Sequence, residues 1–287
     1  MKHSESAIFD LALKALDSFR IEIPSWGFAN TGTRFGKFVQ AAAASTIEEK
    51  FADAAEVNRL TGVTPTLALH VLWDLPNGVD DVPEVKQLER RFGIRAGSIN
   101  PNLFQDQEYK FGSLCNPSAK IREQAVSHIL DSIEIAKRLG CRDLSIWLAD
   151  GSNYPGTQSI RKRIGWLEEA LRVTHDQLAP GQRQLIEYKP FEPAFYHTDI
   201  ADWGMSSHLA RQSGPQSRVL VDTGHHISRR ISSRLSPGSC TPACLAVSTS
   251  TTAATPTTIS PSAPSTRTRS SASSMRFTPP LPRTRSS

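Results

Sequence analysis

The sequence predicts an α/β fold: a (β/α)8 TIM barrel represented by about six βα units, followed by a disordered tail rich in Ser, Thr, Pro and Arg. Three observations predict it. Short apolar runs of strand character alternate with longer stretches whose apolar residues recur at helical spacing, the pattern of repeated parallel βαβ units. No Gly-rich dinucleotide fingerprint follows any of the strands, which counts against an open doubly wound sheet. The periodicity stops at His226, where the composition also changes.

Taken in order, the first helix is expected over residues 6–19, with Phe9, Ala12, Leu13, Leu16 and Phe19 on one face. A second starts at Thr46, whose hydroxyl can cap the helix while Glu49 closes a capping box. Its apolar side is Ile47, Phe51, Ala54 and Ala55, and Gly62 suits the position past its end. A strand over 66–72 leads to Trp73 and Asp74. A helix over 82–92 and a strand over 94–99 follow. Asn116-Pro117 reads as a cap followed by proline at the first helical position, opening a helix with Ile121, Ala125, Ile129, Ala136 and Leu139 inside and Gly140 at its end. Further strands are expected at 144–148, 184–188 and 218–221, with helices over 159–178 and 198–212 and no antiparallel hairpin.

The net charge of +5 conceals two compositions. Residues 227–287 hold eight arginines and no Lys, Asp, Glu or His, so the tail contributes +8 and residues 1–226 contribute −3. No apolar run approaches the ~20 residues of a membrane helix. The first residues do not form a secretory signal, and Cys115 and Cys141 read as reduced thiols, so a cytoplasmic location is expected. Cys240 and Cys244 have no third ligand nearby and form no zinc motif. The dispersed arginines would give only weak, salt-sensitive contact with nucleic acid, which is not an expected partner.

In a barrel, side chains at the C-terminal strand ends converge on one face. Those ends read His70 and Trp73, Trp147 and Asp150, Glu187 and Lys189, then Asp222 and His225. Strand alternation turns Glu187 and Lys189 to the same side. Carboxylates with a neutral imidazole suit Mn²⁺, Mg²⁺ or Co²⁺, and a lysine beside them can hold a substrate oxygen or pass a proton. A carboxylate at a strand end serves equally as a helix cap or salt-bridge partner. The residues alone therefore leave the metal reading and the structural one open.

Residues 185–193, Leu-Ile-Glu-Tyr-Lys-Pro-Phe-Glu-Pro, and residues 219–226, Val-Leu-Val-Asp-Thr-Gly-His-His, resemble the L-rhamnose isomerase family. Ser25-Trp26-Gly27-Phe28, the run from Leu69 to Asp74, and Ser145-Ile146-Trp147 are similar to the same family, so the resemblance spans residues 1–226. It implies a xylose-isomerase-like barrel that interconverts an aldose and a ketose with a divalent metal, typically Mn²⁺. Glu187 and Asp222 would ligate one metal and His225 a second, with Glu187, Lys189 and His225 as the catalytic set. Trp26, Phe35, His70 and Trp147 would wall the sugar pocket. Hydrogen would move between C1 and C2, by hydride shift or through an enediol. A sugar epimerase or a related metal-dependent barrel enzyme is the alternative. The family is homotetrameric as a rule.

A barrel of this kind takes about 250 residues, so residues 1–226 fall roughly two units short of closure. The family pattern continues with a helix, a strand bearing a metal-binding His, and further acidic ligands, whereas this chain has Thr249, Thr257 and Ile259 in the corresponding places. Shifting the codons of the tail by one position permits an amphipathic helix from residue 227 and then Phe-His-Phe-Asn-Asp from residue 248. The expectation is that residues 1–226 form the barrel domain. Residues 227–287 are expected to be its out-of-frame continuation after a one-base deletion near codon 227, leaving the chain with little activity.

Overall fold

The computed structural model describes residues 5–30, 40–154, 158–192, 195–226 and 245–248. Helix α1 (Glu5–Ser18) precedes strand β1 (Glu22–Pro24), a 3-10 turn at Ser25–Gly27, and helix α2 (Ile47–Thr61). Strand β2 (Thr66–His70), helix α3 (Val82–Phe92), strand β3 (Arg95–Asn100) and helix α4 (Ala119–Leu139) follow. Strand β4 (Asp143–Ile146), helix α5 (Ile160–His175) and strand β5 (Arg183–Glu187) continue the alternation. A two-stranded excursion, β6 (Phe191–Glu192) with β7 (Tyr196–His197), precedes helix α6 (Trp203–Ser213) and strand β8 (Ser217–Asp222). A short strand β9 (Leu245–Ser248) is the last described element.

The strands β1-β2-β3-β4-β5-β8-β9 lie side by side in that order, and every pair in this sheet is parallel. The six strands from β1 to β8 form a curled half-barrel, with helices packed on its outer face. Phe51 and Ala54 of α2, Val85 and Leu88 of α3, Ile129 and Ile133 of α4, Leu167 and Leu171 of α5, and Leu209 of α6 are buried against Leu67, Leu69, Leu144, Ile146, Ile186 and Val219. Each Val, Leu, Ile or Phe side chain among them contributes about 1.5–3 kcal/mol by leaving water.

Local chemistry sets most element ends. The Thr46 hydroxyl accepts from Glu49 N, and the Glu49 carboxylate accepts from Thr46 N, so the capping box closes as the spacing predicts. Gly62, Gly93 and Gly140 end α2, α3 and α4 with φ of 71°, 68° and 76°. These left-handed values favour a residue without Cβ.

Five expectations change. Helix α4 starts after Ser118, not after Asn116. The Asn116 side chain instead donates to Gly112 O at 2.7 Å and accepts from Ser118 N at 3.0 Å, consuming its capping capacity in the preceding loop. The β6–β7 pair is an antiparallel hairpin where none was expected. Its strands are two residues long, too short to show alternation. Strand β1 was not anticipated, being three residues long and ending in proline. Within the tail, Leu245–Ser248 pairs in parallel with Val219–Asp222, where an apolar run satisfies the hydrogen-bonding edge of β8. The apolar stripe of α1 also differs in outcome, since Phe9, Leu13, Leu16 and Phe19 are exposed.

One buried charge organises the start of the barrel. Asp74, 3% exposed, accepts from Lys50 Nζ of α2 at 2.6 Å, from His70 N at 2.7 Å, and from the Ser25 hydroxyl. It thereby joins the turn after β1, helix α2 and the end of β2. The turn it closes holds Leu72 at φ 114°, a conformation that costs a non-glycine residue about 1–3 kcal/mol. The surrounding hydrogen bonds hold that turn in place. Replacing Asp74 by Ala leaves the Lys50 ammonium buried without its partner. The expected loss is about 3–5 kcal/mol of unfolding free energy, measured by urea denaturation.

Candidate metal centre and aromatic pocket

Glu187 ends β5, and Asp222 ends the neighbouring β8. The two strands pair in parallel with Glu187 opposite Leu220, so Asp222 lies two residues further along the adjacent strand. The 3-10 turn Thr223–His225 then brings His225 back over both carboxylates. Asp222 caps this turn by accepting from Gly224 N at 2.7 Å.

One donor atom from each of Glu187, Asp222 and His225 lies within 4.8 Å of the others. His225 Nδ1 is 3.1 Å from Glu187 Oε1, and His225 Nε2 is 3.4 Å from Asp222 Oδ2. The three side chains are 13%, 0% and 7% exposed in the order Glu187, Asp222, His225. Burial by itself lowers the His225 pKa, but the hydrogen bond and charge of Glu187 and the charge of Asp222 outweigh it and hold the value above the ordinary one. Carboxylates that favour a proton on this imidazole would also favour a divalent cation among the three groups. The donor set of two carboxylates and one imidazole fits a hard-to-borderline ion.

The two histidines of the Gly224-His225-His226 run separate in space. His226 stacks on Tyr188 with an interplanar angle of 8°, and its Nε2 lies 2.6 Å from the Tyr188 hydroxyl. It belongs to a packing pair beside the centre. The Lys189 Nζ lies 2.7 Å from Glu192 Oε2 and 5.2 Å from the centroid of the Trp147 ring.

From Trp147 an aromatic wall continues across the strand ends. Phe104 meets Trp147 edge-on at 4.7 Å, His70 at 5.8 Å and Trp73 at 6.0 Å. His70 lies flat on Trp73 at 3.6 Å, and Trp26 meets both edge-on at 6.2 Å. His70 Nδ1 and Nε2 and Trp147 Nε1 are buried with no hydrogen-bond partner among the described residues. Burial, followed by the charges of His128 and Lys50, pushes the His70 pKa down to about 3. Neutral imidazole and indole groups left unpaired beside aromatic faces are suited to binding hydroxyls.

The structure therefore brings together Glu187, Asp222 and His225, sets Lys189 against Trp147, and links Trp147 through Phe104 to His70 and Trp26. Phe35 lies outside the described residues. Asp150, which the strand-end reading set among the converging groups, has a different task. Its buried carboxylate accepts from Ser113 N and Cys115 N, each at 2.7 Å, and from the Ser113 hydroxyl at 2.9 Å, anchoring the loop before α4. Burial raises its pKa, and these donors only partly offset the shift. Sequence reasoning missed Phe104 and Glu192. Phe104 lies in a loop outside any periodic element, and Glu192 is visible only as part of the residue 185–193 motif.

No family model matches the chain. Probable sugar isomerases of Mesorhizobium japonicum and Rhizobium meliloti are 38% identical over 216 residues and 36% identical over 221 residues. These alignments take in 74% and 75% of this chain but 49% and 51% of the relatives, so the chain spans about half the length of the curated proteins it matches. Among solved structures, a D-allulose 3-epimerase from Methylomonas sp. superposes with a TM-score of 0.53 at 16% identity, covering 72% of this chain and 63% of that one. The 3-keto-D-glucoside 4-epimerase of E. coli gives 0.53 at 14% identity, covering 71% and 73%. A xylose isomerase domain protein from Alicyclobacillus acidocaldarius gives 0.51 at 15%, covering 72% and 64%. The architecture is thus that of the xylose-isomerase-like barrels, and the sequence is similar to probable sugar isomerases.

Proposed function

We propose that the half-barrel is the metal-binding front of an aldose–ketose isomerase of the L-rhamnose isomerase kind, with Mn²⁺ as the preferred ion. The convergence of Glu187, Asp222 and His225 carries this reading. Glu187, Asp222 and His225 would hold the ion, which when bound supplies positive charge to polarise sugar oxygens. Lys189 would hold the substrate oxygen at which charge develops and donate a proton there. The aromatic wall from Trp26 to Trp147 keeps bulk water from the reacting carbons and lies against the apolar faces of the sugar. His70 remains neutral at any pH at which an isomerase works, and offers one donor and one acceptor to sugar hydroxyls.

For the tail, the reading is that residues 227–287 are the barrel's continuation translated out of frame. The full ligand set is then not encoded in this frame, and the 287-residue chain turns over little sugar. Nucleotide sequencing around codon 227 is expected to find a one-base deletion relative to homologous genes. An unbroken frame with no alternative continuation would overturn this part.

The site itself is tested by calorimetric titration with Mn²⁺. Binding is expected in the wild-type chain, weakened at least about tenfold by Glu187→Gln or Asp222→Asn. In a chain carrying the shifted-frame continuation, Mn²⁺-dependent conversion of L-rhamnose to its ketose is expected. Epimerisation without aldose–ketose exchange would replace the isomerase reading.

His70 gives a separate readout. Its folded pKa of about 3 lies below the ordinary value of 6.5, so the unfolded chain takes up a proton that the folded chain refuses. Stability should fall as pH drops from about 6.5 towards 3, by up to about 1.4 kcal/mol per pH unit from this residue. His70→Phe should remove that component, seen as a shallower acid limb in urea denaturation at pH 7, 5.5 and 4.5.

A further inference from the structure

We infer that Glu192 is a positioning residue for Lys189, delivered by the β6–β7 hairpin; the inference rests on the isomerase reading of the same site. The Lys189 backbone is fixed from two sides. Its N–H donates to Ile200 O at 3.0 Å, and its carbonyl accepts from the Thr198 hydroxyl. Fixing the backbone still leaves a four-carbon stem free to rotate. Glu192 removes that freedom.

The Glu192 side chain is 5% exposed against 24% for Lys189, and its Oε2 takes the ammonium at 2.7 Å. A carboxylate so buried is stable only with its countercharge in place, so the pair holds the lysine stem in one orientation. That orientation sets Nζ 5.2 Å from the centroid of the Trp147 ring, at the end of the aromatic wall.

The hairpin is itself anchored to the segment after β4. The Tyr196 hydroxyl donates to Ala149 O at 2.6 Å, and Ser152 N donates to His197 O at 2.9 Å. Gly151 lies beneath it with no room for a side chain. A Cβ there would sit 2.2 Å from His197 O and 2.7 Å from Thr198 Cα. The path from Gly151 through the hairpin to Glu192 and Lys189 is therefore a continuous set of close contacts, and the antiparallel excursion in an otherwise parallel fold has a task.

The test compares the 287-residue wild-type chain with Glu192→Gln and Glu192→Ala. Lys189 is labelled with trinitrobenzenesulfonate at one fixed pH and quantified by peptide mass spectrometry. Amide hydrogen exchange across the hairpin is followed in parallel. Both variants should label Lys189 roughly fivefold faster or more, because the tether on its ammonium is gone, with hairpin exchange and labelling of Lys162 unchanged. Glutamine fills the same space, so a role limited to packing predicts wild-type labelling in Glu192→Gln. Unchanged Lys189 labelling would overturn the inference, as would faster labelling that appears only together with faster hairpin exchange. Gly151→Ala is the second probe, expected to raise Lys189 labelling while leaving the Glu192 carboxylate intact. Wild-type labelling in that variant would show that the hairpin does not carry the tether. Labelling needs no turnover, so these outcomes are read independently of whether the chain isomerises any sugar.

Discussion

Parallel pairing is the constraint on which the site depends. Strands β1 to β5 and β8 run in one direction, so their C-terminal ends share one rim of the sheet. The turns and loops that follow them therefore open on the same side. The pairing of β5 with β8 matters most, because Glu187 lies opposite Leu220 and Asp222 follows two residues later on the neighbouring strand. A slip of one residue in either strand would turn one carboxylate into the helical layer. The apolar residues that alternate with the ligands prevent this, since Ile186, Val219 and Val221 must stay buried.

Buried polar groups here fall into two populations with opposite physical meaning. Asp74, Asp150 and the Arg163–Asp199 pair are fully engaged, and each ties a loop or turn to another part of the chain. Such networks rigidify a loop because every member loses more by leaving than by staying. His70 and Trp147 belong to the second population, buried with ring nitrogens that no described group satisfies. An unmet donor or acceptor in a dry pocket costs stability. The strained turn at Leu72 stands between the two populations, held closed by Asp74 and carrying the stacked His70 and Trp73.

Much of this was legible in the sequence. The Thr46–Glu49 box, the glycines closing α2 and α4, and the apolar faces of those two helices all came from local spacing, and each formed as that spacing requires. Glu187, Lys189, Asp222 and His225 were readable because they sit at or just past strand ends, where a barrel collects its chemistry. Other features were not legible, for reasons that are equally physical. An amphipathic stripe states that a face is suited to burial without naming its partner, and the apolar residues of α1 remain exposed. The Asn116 amide nitrogen donates back to Gly112 O, and its oxygen accepts from Ser118 N two residues on, so the side chain closes a turn and the helix starts only after Ser118. Asp150 had the right strand-end position and the wrong neighbours, because backbone donors from Ser113 and Cys115 claim its oxygens.

Sequence alone determined the alternation of strands and helices, the break in composition at His226, and the identity of the residues able to carry chemistry. These are properties of local periodicity and residue type, which the chain carries whether or not it is folded. Only the tertiary structure decided which of those residues meet. It separated His225 from His226, joined Lys189 to Glu192 through a hairpin too short to announce itself, and assembled the wall from Trp26 through Phe104 to Trp147 across more than a hundred residues of chain. Distances between strand ends depend on how far the sheet curls and on which strands become neighbours, and a local pattern encodes neither.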